Sequence, residues 1–355
     1  MWSKNKLTFY QTRNILFMRK KKIALALQGG GSHGAYTWGV LERLLEEDKF
    51  DIRGMCGASS GAMNAAIVGY GLHTGGNKGA IDLLEKFWTT VGESFTQSML
   101  QPTIFDKFKS PGALDYSPGF HFITFLTSIV SPYDIDPVDT NTNHLKDLLL
   151  KLIDFEELRK SKVQLFATAT NVLTSKPKVF NLSEMTVDVL MASAAVPLMY
   201  KAVKIDGEIY WDGILLCNPQ IDPLIDFTDT TDVLIVKVSP SLFDTVPKTI
   251  KEIHNRISQI SLHTSFLAEM RLLYLKNEMV DLGYDLNGKL RKVNYHEISA
   301  DFVLDDLSGS SKLNHSLDFL NLLRQRGRAE TEKWLQGDGQ YVGVESTLDI
   351  RTVFS

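Results

Sequence analysis

A serine with a glycine two positions to either side, Gly57-Ala58-Ser59-Ser60-Gly61, is the stretch of this chain best suited to covalent chemistry. It follows a short, largely apolar run, Ile52 to Cys56, and precedes Ala62 to Val68, small residues with helical character. A sharp strand-to-helix turn leaves no room for side chains at its flanks and pushes the central hydroxyl outward, where helix N-terminal amides also point. Ser59 is thus a candidate nucleophile with Gly57 and Gly61 as its support. G-x-S-x-G alone describes a plain Gly/Ser turn equally well, so the surroundings decide.

A second glycine cluster supplies them. Lys22 to Leu27 reads as a buried strand and runs into Gln28-Gly29-Gly30-Gly31-Ser32-His33-Gly34, after which Trp38, Leu41, Leu44 and Leu45 give Ala35 to Leu45 helical periodicity. Strand, glycine loop and helix form an anion cradle, because backbone N–H groups can converge on one oxygen. A nucleotide phosphate in the Walker manner needs Lys-Ser/Thr at the loop's end, where His33 and Gly34 stand. A dinucleotide fits Gly29, Gly31 and Gly34 as G-x-G-x-x-G, but Glu46, Glu47, Asp48 and Asp51 all precede the second strand, whose end should carry the ribose-binding acid. That strand ends on the serine turn instead, which favours the third filling, the oxyanion of acyl transfer.

A serine hydroxyl needs a base. None of the eight histidines sits in a late Ser–Asp–His context; His254, His263, His296 and His315 fall in helical or polar stretches, and His296 is the fallback. Asp212, in Tyr210-Trp211-Asp212-Gly213, is placed on a loop after the strand-like Ile205 to Trp211 and on residues alone is as readily an Asp-Gly turn.

Taken in order, Gly29 to Gly34, Gly57 to Gly61, Ala192-Ser193-Ala194-Ala195-Val196-Pro197, Tyr210 to Gly213 and Asn218-Pro219 resemble the motifs of the patatin-like phospholipases, lipid acyl hydrolases with a serine–aspartate dyad. The resemblance covers about Lys22 to Pro219. It implies Ser59 as nucleophile, Asp212 as base and then acid, and Gly29, Gly30, Gly31, Ser32 and Gly34 as an oxyanion loop whose Gly30 and Gly31 amides hold the tetrahedral intermediate. It implies a lipid substrate and neither cofactor nor metal. A carboxylate is a weak base unless desolvated, so the Asp212 site should be partly dry. Two departures are visible: His33 replaces the family's Arg or Lys, which makes its charge depend on pH, and Ile214 follows Gly213 where Gly or Ala is usual.

With 355 residues, 44% of them hydrophobic and 23% charged, the chain can bury a large core. Apolar runs at Val163 to Ala169, Val179 to Asn181, Glu208 to Trp211 and Val233 to Val238, between helical stretches, predict an α/β fold with a mainly parallel central sheet and helices on both faces. To this three-layer patatin-like fold the sequence adds an aromatic stretch at 94–136 that reads as a helical cap over an acyl pocket or equally as ordinary core helices, notably His121 to Val130, and C-terminal helices at Leu262 to Val280 and Leu317 to Leu335. The boundaries expected are a leader 1–21, a catalytic domain 22–225 and a part 226–355 packed on the same domain. The mixed charges from Arg324 to Lys333 read as a solvated face.

The net charge of −4 gives no call for a nucleic-acid partner, and oligomeric state is not encoded legibly. Lys4, Lys6, Arg13 and Arg19 to Lys22 precede any acid, so the leader reads as a peripheral contact for an anionic membrane, a frayed tail or an overlong start; these stay open. Ile23 to Leu27 is too short for a signal-peptide core, and no window offers ~20 apolar residues, so a cytoplasmic or peripheral location is expected. Cys56 and Cys217 read as thiols buried near the site. The rival readings are a catalytically silent lipid-binding or interaction protein on the same fold and, third, a dinucleotide oxidoreductase.

Overall fold

The computed structural model describes residues 20–355 apart from 97, 135–143, 242–245, 289, 302, 305 and 306. The leader's first nineteen residues therefore lie outside the described residues. Eight strands form one sheet: β1 (Lys21–Leu27), β2 (Phe50–Gly57), β3 (Gln164–Asn171), β4 (Lys176–Phe180), β5 (Val203–Ile205), β6 (Glu208–Asp212), β7 (Asp232–Lys237) and β8 (Asn294–Ser299). β3, β2, β1, β7 and β8 are parallel neighbours in that order, while β4 and β6 pair antiparallel with β3 and β5 pairs antiparallel with β6 at the edge. The expected α/β sheet is found, mainly parallel and extended by an antiparallel flank.

Near-continuous apolar runs such as Ile23–Leu27 and Val233–Val236 are what a strand covered on both faces requires. Side chains alternate between two cores. Leu25, Leu27, Met55, Leu234 and Val236 face helices Gly34–Glu47, Ser60–Phe95, Val187–Ser193 and Leu317–Gln336; Ala24, Ala26, Cys56, Val233 and Ile235 face Asp222–Phe227 and Ile250–Asp281.

One detail of register brings two distant segments together. Ala167 pairs with Gly57 on one edge and Phe180 on the other, and two residues on Ala169 pairs with Lys178 and Asp212. A strand has only two edges, so β6 occupies the edge of β3 that β2 leaves when it turns at Gly57. The last residue of β6 is Asp212.

Several expectations are corrected. Ile205 to Trp211 is a hairpin rather than one strand: Asp206 and Gly207 both have positive φ, 49° and 90°, and fold the chain back between β5 and β6. Asp212 ends a strand rather than lying on a loop. The helix expected from Leu262 begins at Ile250, where Thr249 and Glu252 form a capping box. The cap helix runs Pro118–Ile129, started by the Ser117 hydroxyl and proline at its first position. The face with Arg324 and Arg328 is no solvated face: both guanidinium groups pair with buried Glu42, and Arg324 lies 4.2 Å over the Trp38 ring. That crossing is close because Gly39 abuts the Arg324 carbonyl and Gly327 the Tyr36 carbonyl, where any Cβ would clash.

Candidate active site

β2 ends in the serine turn at the carboxyl edge of the sheet. Ser59 has φ 53° and ψ −127°, a conformation costly for a residue with a Cβ and kept only where its surroundings impose it. They do so through glycine and hydrogen bonds. A Cβ on Gly57 would strike the Gly61 backbone, and one on Gly61 the Leu27 carbonyl. The Ser59 N–H donates to both the carbonyl and the hydroxyl of Ser193, each at 3.0 Å, and the Ser193 hydroxyl donates to Thr168 O at 2.7 Å. Ser193 thus ties the turn to β3.

Asp212 faces this turn with 1% of its surface exposed. Its backbone is fixed on both sides: N–H to Ala195 O at 3.0 Å, carbonyl accepting from the Thr170 hydroxyl at 2.9 Å. Its carboxylate is underused. Oδ1 accepts the Ile214 N–H at 2.9 Å, whereas Oδ2 is buried without a hydrogen-bond partner among the described residues. Burial pushes the carboxyl pKa up to about 7; the Ile214 N–H and, less strongly, the Ser59 hydroxyl pull it back. Ser59 therefore acts on the carboxylate across a separation short of a formed hydrogen bond. Such a gap is common before substrate binds.

The glycine loop follows β1. A Cβ on Gly29 would lie 2.9 Å from that of Ser59, so the loop and the turn touch through this glycine. Two loop amides are already engaged: Gly29 N–H donates to Asn218 Oδ1 at 2.6 Å and Gly30 N–H to Ser60 Oγ at 3.1 Å. Asn218 returns a bond from Nδ2 to Gly29 O at 3.2 Å, clamping the loop. Gly34 N–H goes to Gly31 O and Ser32 O. Gly31, at φ 61°, and Ser32 have amides without acceptors among the described residues, so the open donors sit one residue later than Gly30 and Gly31. The sequence marks Asn218-Pro219 only as a family-like pair, and nothing in it announces Asn218 or Ser60 as a partner of this loop.

His33 is corrected too. It is buried, with Nε2 2.8 Å from Ser311 Oγ and Nδ1 unpartnered; burial, aided by the nearby Lys312 cation, drives its pKa down to about 3. It is neutral at any working pH. Ser32 Oγ donates to Ser311 O at 2.7 Å, so Gly309–Leu313 braces the loop's far end. The same segment holds the cap, through Ser310 Oγ accepting the Leu114 N–H at 2.9 Å, while the adjoining Asn314 donates to Gly112 O at 2.9 Å.

No histidine makes a hydrogen bond with Ser59 or Asp212 among the described residues. His296 lies in the sheet, between Asp232 Oδ1 and Thr347 Oγ1, and His315 is half-buried against Phe95. Cys56 is buried below the turn; Cys217 is half-buried, and burial pushes its thiol up to about 11. Of the cap's aromatic residues, Phe105, Phe108, Tyr116, Phe122, Phe125 and Tyr133 are exposed, Phe120 is partly covered and Phe95 is buried. Among the described residues no helix is long and apolar enough to cross a membrane, and no group of three or more His, Cys, Asp or Glu is placed to hold a metal.

A strained serine turn at the end of one parallel strand, beside a glycine loop at the end of its neighbour, is the architecture of an α/β hydrolase. The chain belongs to the patatin-like phospholipase family, whose model matches residues 25–225, more than half its length. That makes it a lipid ester hydrolase. Among solved structures it is similar to VipD from Legionella pneumophila, at 16% identity over 90% of this chain and 67% of that one, TM-score 0.43. It is also similar to ExoU of the Pseudomonas aeruginosa type III secretion system in its heterodimeric complex with SpcU, at 15% identity over 90% of this chain and 53% of that one, TM-score 0.35. The chain thus spans about half the length of ExoU. No curated protein matches it.

Proposed function

We propose that the chain cleaves carboxylic esters of lipids through a Ser59–Asp212 dyad and an acyl-enzyme. Ser59 Oγ attacks the ester carbonyl carbon while its proton passes to Asp212 Oδ2. The carbonyl oxygen becomes an oxyanion facing the Gly31 and Ser32 amides, joined by Gly30 if the Ser60 hydroxyl rotates away. Collapse breaks the bond to the alcohol, which leaves with the proton from Asp212. Water then attacks acyl-Ser59, giving its proton to Asp212; the fatty acid departs and Ser59 recovers its hydrogen. The cap's exposed aromatics suit a lid over the acyl chain and contact with a lipid surface.

The observation that carries this reading is the Asp212 carboxylate: dry, aimed at the serine turn, one oxygen unpartnered, and with a proton affinity matched to neutral pH. The test is labelling with a fluorophosphonate probe and location of the adduct by mass spectrometry. Labelling at Ser59, lost in Ser59→Ala and Asp212→Asn, is the expected result. Labelling at another residue would overturn the assignment, and none in the wild type under lipid-activated conditions would favour the silent lipid-binding reading.

A further inference from the structure

Lys312 stands on the opposite side of the glycine loop from Ser59. A Cβ on Gly31 would collide with the Lys312 carbonyl and lie 3.6 Å from its Cβ, just as one on Gly29 would meet Ser59. The Lys312 ammonium reaches across the carboxyl end of β7, where its nearest polar partner is Ser239 Oγ, at a long 3.5 Å. Among the described residues no carboxylate lies within ion-pairing distance of it. Other cations drawn into the fold are matched: Lys237 by Asp301, Lys276 by Asp222, Arg324 by Glu42. Burial lowers the Lys312 pKa with no opposing charge to restore it, and the cation also helps keep His33 neutral.

An ammonium only partly open to water and without a counter-ion is stabilised when an anion completes it. We propose that Lys312, with Ser239 Oγ, binds the phosphate of the substrate's headgroup at the Gly31 end of the loop while the ester lies at the Ser59 end. The geometry separates the two tasks. An oxyanion bonded to the carbon under attack by Ser59 takes the Gly31 and Ser32 amides, whereas the Lys312 ammonium is held past them by its contact with Ser239 Oγ. What reaches Lys312 is a second anionic group a few bonds away, as the phosphodiester is from the acyl carbonyl across glycerol.

The inference rests on the proposed reading of the site, so its test avoids turnover. Ser59→Ala protein is titrated calorimetrically with monomeric dihexanoyl phosphatidylglycerol, with dihexanoylglycerol and with inorganic phosphate. The phosphate-bearing lipid should bind about 10- to 100-fold more tightly than the diacylglycerol, the range of one or two charge-assisted hydrogen bonds. Adding Lys312→Met should abolish that preference, and Lys312→Arg should retain it, which separates recognition from misfolding. Equal binding of the two lipids, or a preference that survives Lys312→Met, overturns the proposal. So does inorganic phosphate binding at Lys312 without any lipid preference, which would make this a free-anion site. Failure of the dyad would appear separately, as absent probe labelling with lipid binding intact.

Discussion

Glu42 and Asp212 are both carboxylates almost closed to water, at 3% and 1% exposure, yet the fold treats them in opposite ways. Burial pushes both pKa values up. At Glu42 the hydrogen bonds and charges of Arg324 and Arg328 outweigh it and hold the carboxylate ionised; at Asp212 one N–H and a distant hydroxyl do not, and the value stays at about 7. The same contrast extends outward: Lys237 with Asp301 and Lys276 with Asp222 are matched pairs, whereas Asp212 and Lys312 around the glycine loop have no counter-ion among the described residues. Matched buried charge locks elements together. Unmatched buried charge waits for a substrate.

Removing each carboxylate is the sharpest way to break the contrast. Asp212→Asn should lower hydrolysis of a lipid ester by ~10³-fold or more, as for loss of a base at a serine, while raising the melting temperature because it deletes a desolvated acid. Glu42→Gln should do the reverse in stability, costing about 1 to 3 kcal/mol by leaving Arg324 and Arg328 only their more exposed partners Glu85 and Glu46, measured by urea unfolding. Should both variants move stability in the same direction, the distinction fails.

Titration sharpens it further. The rate of acylation should rise with pH through about 7 and level off above, as Asp212 loses its proton. Stability should move oppositely. The folded pKa of Asp212 exceeds its unfolded value near 3.8, so the native state holds the extra proton and is favoured at low pH. This contribution declines by up to ~1.4 kcal/mol per pH unit between those values and is constant above about 7. Asp212→Asn should remove that slope, and Glu42→Gln should leave it. The smallest effect tests the crossing itself: Gly327→Ala should cost about 1 to 3 kcal/mol by pressing a methyl group on the Tyr36 carbonyl, with the pH–rate midpoint unmoved.

What could be read beforehand was local. Gly57 to Gly61 and Gly29 to Gly34 reveal themselves because strand, tight turn and helix follow one another within a few residues, and glycine is dictated there by atoms close in sequence. The short strand β5 and edge strand β8 are harder to read, the first because it is only three residues long, although Asp206-Gly207 beside it is itself a hairpin signal. Non-local partners were invisible for a plainer reason. Asn218 reaches Gly29 from 189 positions away, and Ser311 reaches His33 from 278, so nothing near either loop residue announces them. The first turns of the helix from Ile250 do carry the signal, since Ile253, Ile257 and Ile260 recur at helical spacing, although all three are exposed in the fold.

The brace at Gly309–Leu313 has a bearing on biosynthesis. A ribosome completes β1, the serine turn and Asp212 long before it reaches Ser311, yet Ser32 and His33 lack their anchors until that residue has emerged. A nascent or prematurely terminated chain therefore carries its reactive groups without the tether that sets the loop, which is completed only once Ser311 has emerged.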